Sequence, residues 1–282
     1  MAGTAGGGVA ARSGGSGFDL VALLAAAHFP PTVAVTTVVA VLAVAADRPL
    51  ETGIFVTSAV FFGQLTIGWG NDLVDANRDR QVGRTDKPLA TGRLSPRLVV
   101  GCLAFAAVAC VVLSFAAGWR SALVHLFVGV ASGHAYNLWF KSTSLSWLPY
   151  AVAFGSLLWI VWLAGPDPSA PAWWMVVAAS ALGVAAHFLN TLPDLADDDA
   201  TGVRGLPHRI GATASRVAAT LLLVGASAVA VLGPGSPPVW AWVVLGLVVV
   251  LAELALFGKG KIPFYAAIVI ALIDVALLAV LS

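Results

Sequence analysis

Two stretches of this 282-residue chain place acidic, amide, glycine and proline residues at the same spacing. The first stretch carries Asn71, Asp75, Asp79, Gly83, Pro88, Gly92 and Arg97. The second stretch, 119 residues further along, carries Asn190, Asp194, Asp198, Gly202, Pro207, Gly211 and Arg216. Residues four apart lie on one face of an α-helix, so each stretch predicts a row of polar side chains along a helix. Where two such faces meet, their carboxylates could hold divalent cations and a diphosphate.

Acidic residues are concentrated in these two stretches. Of the 14 Asp and Glu residues, four lie within 71–86 and four within 190–199. Carboxylates four residues apart repel each other on an isolated helix, and a bound cation reverses that effect. Carboxylate oxygens and an Asn carbonyl suit Mg²⁺, which also binds substrate phosphates and water. A solvated helix end is the plainer alternative, but two matching sets, each followed by Gly, Pro and basic residues, favour a metal and diphosphate site.

Basic residues follow both acidic sets. Gly83 and Gly202 stand four residues after the last Asp of each set, where a helix would end. Beyond these glycines come basic side chains, namely Arg84, Lys87, Arg204, His208 and Arg209. Cations close to metal-bound phosphates would stabilise a departing diphosphate, and we select Arg84, Lys87 and Arg204 as candidate contacts. Retention of positive charge on the cytoplasmic side of a membrane is the competing explanation.

The composition is that of an integral membrane protein. The chain is 59% hydrophobic and 10% charged, with a mean hydropathy of +0.92. Its apolar runs predict an all-α fold of nine transmembrane helices, near residues 19–45, 52–77, 97–117, 120–140, 146–164, 172–194, 213–233, 238–257 and 263–281. We expect one bundle around a central cavity over residues 18–282, preceded by a disordered tail at 1–17 that is rich in Gly, Ala and Ser. We expect no nucleic-acid partner.

The basic residues are distributed unevenly between the two sides of the predicted bundle. Thirteen of the 15 Lys and Arg residues fall on the side of the tail and of the loops after the second, fourth, sixth and eighth helices. Only Arg48 and Arg120 fall on the other side. The positive-inside rule then places the N-terminus in the cytoplasm. The sequence predicts a multi-pass cell-membrane protein with both acidic sets at the cytoplasmic ends of the second and sixth helices.

The fourth predicted helix ends on the same side with two polar residues, Tyr136 and Lys141. Lys141 is a candidate phosphate ligand, although a lone Lys at a membrane interface is more often an anchor. Tyr136 could face a cavity, where its ring would steady a carbocation or its hydroxyl would orient the diphosphate. His28, His187 and Asp274 are polar residues within apolar runs, and their roles are left open.

The first stretch resembles a motif of the UbiA superfamily of intramembrane prenyltransferases. Residues 71–79 read NDLVDANRD, which is similar to the superfamily's NDxxDxxxD motif, and the downstream KPLATG is similar to its R/K-P-L-x-x-G segment. The second stretch supplies the superfamily's DxxxD followed by Gly. The resemblance extends over nearly the whole chain after residue 18 and agrees with the nine predicted helices and with cap loops after the second and sixth.

The resemblance implies Mg²⁺ as the cofactor and an isoprenyl diphosphate as the substrate. It implies four carboxylates as catalytic metal ligands: Asp75, Asp79, Asp194 and Asp198. It implies that Asn71 lines the same site, and Asn190 holds the matching position in the second stretch. The superfamily's fourth-helix motif is Tyr, three residues and Lys. Here Tyr136 and Lys141 are separated by four residues, and Asn137 holds the three-residue spacing.

The predicted function is Mg²⁺-dependent transfer of a prenyl group to a hydrophobic acceptor, aromatic or lipid-like, with release of diphosphate. The expected partners are the isoprenyl diphosphate, that acceptor and membrane lipid. A terpene cyclase of the same superfamily, which would capture the cation within the same prenyl chain, is the nearest alternative. An ion-coupled transporter ranks lower, because transporter sites tend to lie near the bilayer midplane. A CDP-alcohol phosphotransferase also ranks low, because its D-G-x-x-A-R motif does not occur in the sequence.

Overall fold

The described part of the chain is built from α-helices. The computed structural model describes residues 19–195, 198, 202–259 and 262–281, so the predicted tail at 1–17 lies outside it. The α-helices are α1 (Leu20–Ala26), α2 (Phe29–Ala45), α3 (Leu50–Gln81), α4 (Pro96–Ala117), α5 (Trp119–Val124), α6 (Ala131–Leu138), α7 (Leu148–Trp162), α8 (Trp173–Thr191), α9 (Leu206–Leu232), α10 (Val239–Phe257) and α11 (Ile262–Val280). Shorter helical turns lie at His125–Val130 (π), Phe140–Ser142 (3₁₀) and Leu192–Asp194 (3₁₀). The described residues contain no β-strand, which confirms the predicted all-α class.

Six of the described helices are long and apolar enough to cross a membrane, namely α3, α4, α8, α9, α10 and α11. Helices α1 and α2 together would form a seventh span, bent by 69° at the break between them. The chain is therefore an integral membrane protein. Helix α7 is apolar but shorter. The count of nine membrane crossings and the two cap loops stay predictions.

The first apolar run is broken at His28. This residue has left-handed backbone angles (φ 51°, ψ 52°), which residues with a side chain seldom adopt. Pro30 and Pro31 follow in the first turn of α2, and neither has an N–H group to bond back into α1. The Ala27 carbonyl at the break accepts instead from the Thr32 hydroxyl (3.2 Å). The prediction of one continuous first helix is therefore wrong, because two prolines interrupt its hydrogen bonds.

The break packs directly against α3. At Gly68 of α3, a Cβ atom would overlap the carbonyl oxygen of Ala27. One residue further, the Trp69 indole N–H donates to the Leu23 carbonyl (3.0 Å). These contacts fix the height of α1 and of His28 along α3, next to the first acidic set.

The first loop, residues 82–95 between α3 and α4, folds back onto the bundle. Leu89 and Leu94 are buried in a cluster with apolar residues of α1, α3 and α4. Arg93 pairs with Asp19 at the start of α1 (2.7 Å). Buried side chains and an ion pair thus hold the loop over the end of α3, which sets the position of Lys87.

The second acidic set begins on helix α8, which ends before the aspartates of the set are reached. Helix α8 ends at Thr191, and Leu192–Asp194 form a 3₁₀ turn. Pro193 lacks the N–H group that would continue the α8 hydrogen bonds, which accounts for the change. Asn190 lies on α8 and Asp194 on the turn. The predicted row along one α-helix is therefore interrupted in the second set.

Replacing Gly68 with Ala tests the close approach of the break to α3. The added Cβ would overlap the Ala27 carbonyl, so we expect the free energy of unfolding to fall by about 1–3 kcal/mol, the usual cost of overpacking. Gly101→Ala in α4 is the matched control, because nothing lies within 4 Å of its added Cβ and Ala favours helix. Thermal unfolding in detergent compares the two variants. Equal midpoints would contradict the close packing.

Candidate active site

The last turns of α3 carry three buried carboxylates, Asp72, Asp75 and Asp79, which are only 1%, 6% and 6% exposed. Their spacing of three and four residues places them on one face of the helix. The C-terminal end of a helix carries partial negative charge, which adds to the repulsion between the carboxylates. Basic side chains must therefore approach this face if the carboxylates are to stay buried and charged.

Asp75 is held between two basic side chains. Lys141 Nζ donates to its Oδ1 atom, and Arg78 Nη2 lies 2.7 Å from its Oδ2 atom. Lys141 reaches Asp75 because α6 ends at Leu138 and the chain tightens into the 3₁₀ turn at Phe140–Ser142. The burial of Lys141 lowers its pKa, and the hydrogen bond to Asp75 opposes that shift. Lys141 therefore contacts the acidic set despite its unusual spacing in the sequence.

The other polar residues at the end of α6 have separate roles. The Asn137 side-chain amide donates to the Ile67 carbonyl (3.0 Å) and ties α6 to α3. The Tyr136 ring packs edge-on against Tyr150, with 5.1 Å between ring centroids. Tyr136 thus packs against α7, whereas Asn137 joins α6 to α3.

Asp72 forms a second polar cluster with residues of two other segments. Lys87 Nζ lies 2.8 Å and His28 Nε2 lies 3.5 Å from Asp72 Oδ1. His28 Nε2 also lies 3.1 Å from Lys87 Nζ and 3.4 Å from the amide nitrogen of Asn71. Lys87 can donate to both Asp72 and His28 when Nε2 of the imidazole carries no proton. The Oδ2 atom of Asp72 is buried and has no hydrogen-bond partner within the described part of the chain, so the cluster has an unused acceptor there.

Three members of these clusters are not among the contacts predicted from the sequence: Asp72, His28 and Arg78. Asp72 belongs to the acidic motif, and Arg78 follows Asp75 at the spacing of a helical ion pair, so both carry a signal in the sequence. The sequence leaves the role of His28 open. Its contact with Asp72 depends on the break between α1 and α2, which packing against α3 positions.

The two stretches form the same backbone turn after their last Asp. The Arg84 N–H donates to the Asp79 carbonyl (3.0 Å), and the Val203 N–H donates to the Asp198 carbonyl (2.9 Å). The glycines that the two stretches share all have positive φ, namely Gly83, Gly92, Gly202 and Gly211. This hydrogen bond beside a left-handed Gly is the pattern that ends a helix in a Schellman turn. The repeated spacing in the sequence therefore corresponds to a repeated local structure.

The second stretch meets the first at Lys141. Asp198 Oδ2 lies 3.4 Å from His208 Nε2. The charges of Asp75 and Asp198 both act on the ammonium group of Lys141. Gly205 packs so closely on the Lys141 carbonyl that a Cβ there would lie 2.8 Å from its oxygen. Lys141 thus contacts Asp75 of the first stretch and Gly205 of the second.

The other residues that were predicted to contact the diphosphate lie nearer the surface. Arg84 donates two hydrogen bonds to Asp86, each 2.8 Å long, and this contact lowers the pKa of Asp86 to about 2. Arg204 is exposed, and its carbonyl accepts from Arg209 Nε (3.1 Å). Asn190 is exposed on the last turn of α8. The structure therefore brings Lys87 and Lys141 onto buried carboxylates and leaves Arg204 and Asn190 at the rim.

Three carboxylates of the predicted metal-ligand set lie within the described residues and could supply oxygen atoms to a cation: Asp75, Asp79 and Asp198. Within the described ranges, no three His, Cys, Asp or Glu side chains are grouped around one metal position. The side chain of the fourth predicted ligand, Asp194, lies outside the described part of the chain, as do Asp197 and Asp199. Lys141 and Arg78 occupy the Asp75 oxygens in this arrangement.

A profile of the UbiA prenyltransferase family matches residues 13–263 of this chain. The matched range includes both acidic stretches, the broken first helix and Lys141. A search of curated protein sequences finds no match.

Solved structures share the fold over nearly the whole chain. A UbiA homolog from Archaeoglobus fulgidus bound to GPP and Mg²⁺ has a TM-score of 0.68 at 15% identity, covering 92% of this chain and 99% of that one. An apo UbiA homolog from Aeropyrum pernix K1 has a TM-score of 0.68 at 19% identity, covering 92% and 97%. A structure reported for digeranylgeranylglyceryl phosphate synthase in membranes has a TM-score of 0.66 at 17% identity, covering 93% and 97%.

The contact between Lys87 and Asp72 predicts that their contributions to stability are coupled. Lys87→Met leaves a buried carboxylate without its ammonium partner, whereas Asp72→Asn removes the charge that Lys87 neutralises. We expect the double variant to lose less stability than the sum of the single variants, with a coupling of about 1–3 kcal/mol. Unfolding in detergent measures the cycle. Arg80→Met, at an exposed position of the same helix end, should show no coupling to Asp72→Asn, and additive losses for Lys87 and Asp72 would contradict the pairing.

Proposed function

Because the chain belongs to the UbiA prenyltransferase family, we propose that it is a Mg²⁺-dependent intramembrane prenyltransferase. It ionises an isoprenyl diphosphate, transfers the prenyl group to a hydrophobic acceptor and releases diphosphate. The observation that carries the proposal is the position of Lys141, whose ammonium group bonds to the buried Asp75 of the first stretch and whose carbonyl packs against Gly205 of the second. Carboxylates suit a metal ion bound to phosphate, and ammonium groups suit the phosphate itself.

Four Asp side chains are the proposed ligands of Mg²⁺: Asp75, Asp79, Asp194 and Asp198. All four offer hard oxygen atoms, the donors that Mg²⁺ takes together with phosphates and water. Homologs from Archaeoglobus fulgidus are bound to Mg²⁺ with GPP or with DMAPP, which supports the same cofactor and substrate class here. When bound, Mg²⁺ would neutralise charge on the diphosphate and so favour its departure.

The proposed diphosphate contacts come from both stretches and from the end of α6: Asn71, Arg84, Lys87, Lys141, Tyr136, Asn190 and Arg204. Lys87 and Lys141 are mostly buried and pair with Asp72 and Asp75. An ammonium group in such a position can turn from a carboxylate to a phosphate oxygen and keep a charge-assisted hydrogen bond throughout. Substrate binding is then an exchange of partners within one cluster of charges.

The proposed reaction breaks the bond between C1 of the prenyl chain and its diphosphate oxygen, and both bonding electrons leave with the diphosphate. Basic side chains stabilise that charge, and the Tyr136 ring stabilises the allylic cation. A nucleophilic atom of the acceptor then forms a bond to C1 and loses a proton. Tyr136 packs against Tyr150 and His187, and such packing would help to exclude water, which quenches the cation.

We place the site at the cytoplasmic side of the cell membrane, with the N-terminus also cytoplasmic. The support is the uneven distribution of Lys and Arg, 13 of 15 on the side of the two acidic sets. The loops that follow α3 and the second acidic set form the cap over the site. An aromatic or lipid-like acceptor fits a site enclosed by apolar helices.

Substitution of Asp75 tests the proposed chemistry. Asp75→Asn keeps the shape of the side chain but removes its charge, so Mg²⁺-dependent prenyl transfer should fall by at least about 100-fold. Asp194→Asn should behave in the same way. Membranes containing the protein receive Mg²⁺, an isoprenyl diphosphate and an extract of native acceptors, and mass spectrometry follows the products. Activity retained by both variants at normal protein levels would overturn the assignment.

Asp47→Asn is the matched control for these variants. Asp47 is exposed in the turn between α2 and α3, and its left-handed backbone (φ 50°) also suits Asn, so activity should be unchanged. The same assay without acceptor separates transfer from cyclisation. A terpene product formed from the diphosphate alone would favour the cyclase.

Cysteine labelling tests the proposed orientation. Asp86→Cys in the first loop and Asp167→Cys between α7 and α8 introduce exposed thiols, in a background with Cys102 and Cys110 replaced by Ala. A membrane-impermeant thiol reagent should label position 167 on intact cells and position 86 only on inverted membrane vesicles. The reverse pattern would contradict a cytoplasmic site.

A further inference from the structure

We propose that Ser146 and His187 are positioning residues that hold the start of α9 against the segment carrying Lys141. They touch neither the carboxylates nor Lys141 in any hydrogen bond that the structure shows, yet they fix where two parts of the site meet. The link to catalysis rests on the proposed function. The link to structure does not, and can be tested separately.

Ser146 supplies a hydrogen bond to the start of α9 that the residue before this helix cannot supply. The first N–H groups of a helix have no partner within the helix, and a side chain just before the helix usually accepts from them. The residue before α9 is Gly205, which has no side chain to do so. The Leu206 N–H donates instead to the Ser146 hydroxyl oxygen, 2.9 Å away and 60 residues earlier in the chain. Ser146 is fully buried.

His187 holds the Ser146 hydroxyl in position. Its Nε2 atom lies 2.9 Å from the Ser146 oxygen, and the residue is 1% exposed. Because that oxygen accepts from Leu206, its proton is available for Nε2. The imidazole packs 4.8 Å from the Tyr150 ring and 5.7 Å from the Tyr136 ring, measured between centroids. Among the described residues, its Nδ1 atom has no hydrogen-bond partner, so the hydrogen bond that fixes the ring there is the one to Ser146.

This hydrogen-bond chain lies between the two halves of the site. Gly205 packs on the Ser146 side chain and on the Lys141 carbonyl, where an added Cβ would lie within 3 Å of both oxygen atoms. Lys141 bonds to Asp75 of α3, whereas the segment before Gly205 bonds back to the Asp198 carbonyl. Release of Leu206 from Ser146 would therefore let the second stretch shift relative to Lys141. Such a shift separates groups that must contact one diphosphate together.

Ser146→Ala tests the positioning role, with Ser156→Ala as its matched control. Ser156 is also buried, but its hydroxyl donates only within α7, to the Ala153 carbonyl. In the full-length protein in detergent, Ser146→Ala should speed hydrogen exchange of residues 202–210 about five- to tenfold, the effect of losing one helix cap. Ser156→Ala should leave that segment unchanged. Unchanged exchange in Ser146→Ala would overturn the proposal, as would faster exchange spread evenly over all helices.

The same variants in the transfer assay give a second readout. Ser146→Ala should raise KM for the isoprenyl diphosphate about tenfold with a smaller change in kcat, because binding groups are displaced while the reacting groups remain. A loss of kcat alone would contradict displacement. If the wild-type protein shows no prenyl transfer, the proposed function fails, and the exchange measurement still decides whether Ser146 holds α9.

His187 variants keep the proposal testable if Ser146→Ala does not fold. His187→Gln places an amide near the former Nε2 atom and can still bond to Ser146, so it should resemble the wild type in exchange and KM. His187→Leu fills similar space without a polar atom and should resemble Ser146→Ala. Equal behaviour of the Gln and Leu variants would show that packing alone, and not the hydrogen bond, is what matters at His187.

Discussion

The structure depends on neutralising Asp72 and Asp75, two carboxylates that are buried near the negatively charged end of α3. Asp72 and Asp75 each meet a lysine from another segment, Lys87 from the first loop and Lys141 from beyond α6. A buried carboxylate without such a partner is strongly destabilising. The requirement therefore ties both segments to α3 before any substrate is present. It also brings to one end of α3 the basic groups that a diphosphate would need.

The two acidic stretches end in similar turns, but the helices that precede these turns differ. Each ends in a left-handed Gly after a hydrogen bond to the last Asp, so the local sequence produces the same backbone twice. The first set lies on the uninterrupted helix α3, whereas Pro193 ends the regular helix of the second set near Thr191. The second stretch therefore relies on contacts with other segments for its position. Ser146, five residues after Lys141, supplies one of those contacts.

Packing of the break between α1 and α2 adds one residue, His28, to the candidate site. Pro30 and Pro31 interrupt the backbone hydrogen bonds at this point, because neither can donate one. The contact of Ala27 with Gly68 then brings His28 to Asp72 and Lys87. Strained backbone of this kind is often found at functional sites. At His28 the left-handed conformation turns the chain toward the acidic face.

The sequence by itself determined the membrane-embedded α-helical class, the acidic face of α3, the glycine turns and the family, because apolar runs, helical spacing and the conformational limits of Gly and Pro act locally. Only the tertiary structure decided which cation meets which carboxylate. Lys141 reaches Asp75 through a 3₁₀ turn that its spacing does not reveal, while Lys87 reaches Asp72 from the first loop and Asn137 binds a backbone carbonyl. These partners depend on how helices pack side by side, and hydrogen bonds formed over a few ångströms cannot be deduced from positions many residues apart.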